Sequence, residues 1–172
     1  NTGQVRDPAL VLQWLDEAFD ASGGQRLTGR AARLRQNEGR VEVQLEDGQR
    51  LAPERVLIAG GVGSGVLMRG LGHAAPVIAE RGYHLEGGAG RWGDLPPVVF
   101  EGRSLILTRF GDRLRAASFV EFGRESSPPD PRKWARLRRH LSELGVRMEG
   151  PVTEWMGARS TLPDYLPAIG VS

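Results

Sequence analysis

Apolar residues recur at helical spacing early in the chain, at Leu10, Leu12, Trp14, Leu15, Ala18 and Phe19. Asp7 stands as an N-cap and Pro8 at the first helical position, where its missing N–H costs nothing. Gly23-Gly24 closes the stretch, so the pattern predicts an amphipathic helix. The period then shortens. Strands are predicted at Gln25–Leu27, Ala31–Gln36, Val41–Leu45 and Arg50–Ala52, and Glu46-Asp47-Gly48-Gln49 is a hairpin turn signal. In Glu54–Ala59 the continuous run Val56-Leu57-Ile58-Ala59 predicts a strand buried on both faces.

GGVGSG, Gly60 to Gly65, follows that run and leads into a predicted helix at Val66–Leu71. Strand, glycine turn and helix together let backbone N–H groups approach a phosphate or cofactor, and equally serve as a tight turn for packing. The spacing is neither a full G-x-G-x-x-G fingerprint nor a P-loop. Further strands are predicted at Pro76–Leu85, Val98–Glu101, Ser104–Phe110 and Arg113–Phe122, with Glu101-Gly102-Arg103 and Gly111-Asp112 as turns, giving an antiparallel sheet. After SSPPD comes a helix over Pro131–Leu144, with Trp134, Leu137, Leu141 and Leu144 on one face. Arginines fill its other face, which predicts a solvated surface over a sheet.

Composition narrows the chemistry. The 172 residues contain no cysteine, which excludes disulfides, thiolate catalysis and cysteine-ligated metals. His73, His84 and His140 lack metal-ligand spacing, so no metal site is expected. A net charge of +2 gives no bulk case for nucleic acid. No apolar run reaches the ~18 residues of a membrane span, and the N-terminus does not read as a signal peptide. The expected compartment is the cytoplasm, with membrane association of a full-length parent as the alternative.

Taken in order, GQVRDPALVLQWLDEAFDASGGQ, RVLIAGGVGSGVL, ERGYHLEG, VEFG and WMGARSTLPDYLPAIG resemble the FAD-dependent amino-acid oxidoreductases, which include D-amino-acid dehydrogenases, glycine oxidase and sarcosine oxidase. The bacterial D-amino-acid dehydrogenase branch is the nearest in pattern. The resemblance implies an α+β fold: part of an FAD-binding α/β domain over residues 1–72, an antiparallel-sheet substrate domain over 73–155 with covering helices, and a return segment over 156–172. It further implies an internal portion of a longer enzyme, without the N-terminal G-x-G-x-x-G strand and the C-terminal flavin segment, and hence poor FAD binding by this piece alone.

The reaction implied is hydride transfer from the α-carbon of a (D-)amino acid to FAD, giving an imino acid that hydrolyses to a keto acid. Oxygen or a quinone would accept the electrons. The substrate would be a small-molecule amino acid, with no nucleic-acid partner. By the resemblance, Arg159 anchors the substrate carboxylate, a task suited to the planar guanidinium fork. Tyr83 and His84 are substrate-side candidates, and strand alternation puts them on opposite faces. Gly60, Gly61 and Ser64 match a turn near the cofactor's ribose and phosphates, and Ala31 a position whose backbone meets the adenine. Gly63, Arg109, Phe119 and Ser160 depart from the family's usual residues and bear on pocket shape. Two other readings are a non-catalytic binding domain on a flavoenzyme scaffold and an interaction module using Arg132, Lys133, Arg136, Arg138 and Arg139.

Overall fold

The computed structural model describes residues 5, 7–37, 39–92 and 96–170. These form two compact units: the described residues within 5–25, 81–121 and 126–157 make the first, and those within 26–80, 122–125 and 158–170 the second. Helix α1 (Pro8–Ala21) starts as the sequence predicts, with the Asp7 carboxylate accepting from the Ala9 and Leu10 N–H groups. It buries none of its residues.

In the second unit, β1 (Ala31–Asn37), β2 (Arg40–Leu45) and β3 (Arg50–Leu51) form a three-stranded antiparallel sheet in that order. Leu34 and Leu45 are its buried apolar residues. Helix α2 (Ser64–Arg69) follows a 3₁₀ turn at Gly61–Gly63. Its end lies against β1: a Cβ at Gly70 would stand 2.6 Å from the Leu34 carbonyl oxygen.

Two predicted strands are corrected. Gln25–Leu27 is irregular, and Glu54–Ala59 is neither a strand nor buried on both faces; Leu57 is 90% exposed. The physical reason is the backbone. An apolar run becomes a strand only beside a neighbour that completes its ladder, and among the described residues no strand pairs with this one.

The larger sheet has the order β5-β6-β7-β4-β8, from β4 (Ile78–Gly88), β5 (Val98–Phe100), β6 (Leu105–Phe110), β7 (Arg113–Gly123) and β8 (Glu149–Thr161). The β6–β7 hairpin pairs Phe110 with Arg113, as its Gly-Asp turn predicts. Helix α3 (Pro131–Glu143) is capped by Asp130, which accepts from the Arg132 N–H. Trp134, Leu137 and Leu141 join Tyr83, Leu85, Leu105, Leu107, Leu114 and Ala116 in the core of the first unit. β8 carries no strand signal in the sequence, its pattern being interrupted by Gly150, Pro151 and Gly157. The mixture of helices and antiparallel sheets agrees with the α+β expectation.

Candidate functional site

The second unit contains a cavity of about 570 Å³. Gly61 and Ser64 of the glycine turn line it, together with Ser160, Thr161 and Tyr165 from the end of β8 and the segment beyond. Two segments about a hundred positions apart in sequence thus share one concavity. Pro163-Asp164 turns the chain there: Tyr165 N–H donates to the Leu162 carbonyl at 2.9 Å, and the Asp164 carboxylate accepts from the Leu166 N–H at 3.1 Å. Tyr165 has φ 59°, an uncommon left-handed conformation for an aromatic residue, held at the cavity wall.

Arg159 is not a cavity-lining residue, although Ser160 and Thr161 directly after it are. Its side chain is 66% exposed, and Nη2 donates to Glu80 Oε1 at 2.8 Å. Thr161 Oγ1 donates to the other Glu80 oxygen at 2.7 Å. Residues two apart on a strand share a face, so Arg159 and Thr161 grip the carboxylate of Glu80 from neighbouring β8. Sequence reasoning missed Glu80, which lies 79 positions from Arg159 and carries no local signal of a partner.

Tyr83 and His84 belong to the first unit and alternate in burial as predicted, Tyr83 buried and His84 intermediate. The Tyr83 hydroxyl donates to Glu121 at 2.7 Å and accepts from the Asp130 N–H at 3.0 Å. Burial, then the bond to the Glu121 carboxylate, raises its pKa above the usual phenol value. Glu121 is held below the ordinary carboxylate range by that hydroxyl and by Lys133 and Arg81. Arg81, nearly buried, also donates to the Ser127 and Pro128 carbonyls, both at 2.9 Å. His84 stacks on Trp155 at 4.6 Å. Burial and the nearby Arg115 guanidinium lower its pKa to about 4, against the opposing charge of Glu86, so the imidazole is neutral at neutral pH.

Of the other candidates, Gly60 precedes the 3₁₀ turn and Ala31 sits at a register shift of β1, opposite Leu45. Neither is a cavity-lining residue. Around Gly63 an added Cβ would meet nothing within 4 Å. Arg109 Nε donates to the Gly111 carbonyl at 2.6 Å. Phe119 has φ 51° and places its ring edge-on to His140 and under Arg136. Among the described residues no group of three His, Asp or Glu side chains is placed to hold a metal ion, and no helix is long and apolar enough to cross a membrane.

The family profile described as DAO, FAD dependent oxidoreductase, matches residues 1–172. The chain belongs to this family. A D-amino-acid oxidase of Bradyrhizobium diazoefficiens is 25% identical over 98% of the chain and 41% of its own length. A D-amino acid dehydrogenase of Methylobacterium sp. strain 4-46 is 33% identical over 82% of the chain and 35% of its length. Glycine oxidase from Bacillus cereus shares the fold, with a TM-score of 0.72 at 18% identity over 92% of this chain and 45% of that one. The chain therefore spans less than half the length of these relatives.

DAO proteins depend on FAD, and the cavity lining suits a portion of that group. Ser64 and Ser160 offer hydroxyls for a polar chain, while Ile58, Met68 and Leu162 offer apolar walls for a ring. An added Cβ at Gly61 would meet nothing within 4 Å, so the backbone there is open to approach.

Proposed function

We propose that this chain is the substrate-facing portion of a flavin-dependent oxidoreductase that oxidises a (D-)amino acid to its imino acid, which hydrolyses to the keto acid. The observation carrying this reading is that Arg159 shares the Glu80 carboxylate with Thr161, which lines the cavity formed by the glycine turn and the segment after β8. Gly61, Ser64 and Ser160 would hold part of FAD, which supplies the hydride acceptor. Arg159 then serves to bind the substrate carboxylate: Nη2 is engaged by Glu80, and the remaining N–H groups of its five-donor fork are the ones a ligand would take. Anchoring the carboxylate orients the α-carbon, which is the protein's share of the work when the redox chemistry belongs to a cofactor.

A non-catalytic binding domain on the same scaffold is the second reading, favoured by the 66% exposure of Arg159. One experiment separates the two. The full-length flavoprotein is mixed anaerobically with a panel of D-amino acids while its flavin absorbance is followed. The enzyme reading expects bleaching, and Arg159→Ala should weaken substrate binding about 10- to 100-fold, as for loss of a charge-assisted pair. No bleaching by any amino acid supports the binding domain. Bleaching with unchanged affinity in the variant removes Arg159 from the anchor role.

A further inference from the structure

Glu80 is the feature that the anchor reading leaves unexplained. It is a charged residue only 9% exposed, and both its oxygens are occupied, one by Arg159 and one by Thr161. Each carboxylate oxygen can accept a second hydrogen bond, so Glu80 retains capacity for a cation. The unused donors of Arg159 retain capacity for an anion. Arg159 and Glu80 together are electrically neutral, with the cation exposed and the anion largely buried: their side chains are 66% and 11% exposed.

We propose that Glu80 is a specificity-determining residue that takes the ammonium group of the substrate while Arg159 takes its carboxylate, so that the site selects zwitterionic amino acids over plain carboxylates. This rests on the reading of Arg159 as the anchor. A plain carboxylate brings a second negative charge beside Glu80 and must compete with it for the guanidinium. A zwitterion brings its own cation, which Glu80 receives, and leaves the local charge balanced. Buried unbalanced charge is disfavoured, and recognition by paired opposite charges suppresses ligands that lack one of them.

The test uses the full-length, FAD-loaded protein and two ligands with one carbon skeleton. These are 2-aminoisobutyrate, which has no α-hydrogen to lose, and isobutyrate, which has no amine. Titration calorimetry on the wild type should give at least about tenfold tighter binding of the amino compound, the scale of one charge-assisted hydrogen bond. Glu80→Gln, which keeps the shape and the Thr161 contact, should collapse that ratio to within about threefold by strengthening isobutyrate and weakening 2-aminoisobutyrate. Arg159→Ala should weaken both ligands. An unchanged ratio in Glu80→Gln, with both ligands weakened by Arg159→Ala, overturns the role of Glu80 and leaves the anchor standing. Unchanged binding of both ligands in Arg159→Ala overturns the anchor and this inference with it. Should Glu80→Gln fail to fold, the wild type decides alone: equal binding of the two ligands overturns the proposal.

Discussion

The hydroxyl of Tyr83 joins Glu121 to the backbone of Asp130, the residue that caps α3. A buried phenol with both a donor and an acceptor partner is a structural tie. Tyr83→Phe leaves the Asp130 N–H and Glu121 without that partner, and should lower unfolding stability by about 1–2 kcal/mol in a urea melt. A loss of substrate affinity with unchanged stability would instead give the hydroxyl a role at the site. His84 supplies a second prediction. Its folded pKa of about 4 lies below the ordinary histidine value of 6.5, so across that window the unfolded chain binds a proton that the folded chain refuses. Stability therefore rises with pH through the window and falls on acidification. His84→Phe keeps a ring against Trp155 and removes the titration. Its melting temperature should fall less than the wild type's between about pH 7 and pH 4.5, and identical acid limbs would refute the assignment.

Among the elements, what the sequence made legible follows what a local pattern can carry. The Asp7 cap, the start of α3 after SSPPD, the hairpin turns and the apolar face of α3 depend on neighbours in sequence, and each stands where it was expected. The run at Glu54–Ala59 did not become a strand because pairing is a long-range property. The Glu80–Arg159 contact was invisible for the same reason. Helices α1 and α3 put a measurable contrast on this. Both have apolar residues at helical spacing, yet Leu15 is 62% exposed while Leu137 is fully buried. Leu137→Ala should cost about 2–5 kcal/mol through lost burial and a residual cavity. Leu15→Ala should stay within about 0.5 kcal/mol, the range of surface substitutions. Equivalent losses in a denaturant titration would mean that α1 is packed in solution.

For the whole molecule, the remaining question is whether the basic face of α3 makes this a nucleic-acid-binding protein. Affinity for a polyanion comes from cations free to replace counterions, so the disposition of each charge matters more than the count. Arg132 pairs with Asp130, Lys133 with Glu121, Arg138 with Glu154 and Arg139 with Glu143. The guanidinium of Arg136 lies over the Phe119 ring, 4.8 Å from its centroid. The opposite face of the helix is spent in the core through Trp134, Leu137 and Leu141. With a net charge of +2 over 172 residues, little field remains to collect phosphates. Fluorescence anisotropy with a labelled DNA duplex should therefore show only weak binding at about 50 mM salt and none by about 150 mM. Micromolar binding that survives at the higher salt, and is lost in Arg136→Ala/Arg139→Ala, would move the function of this face from solvation to recognition.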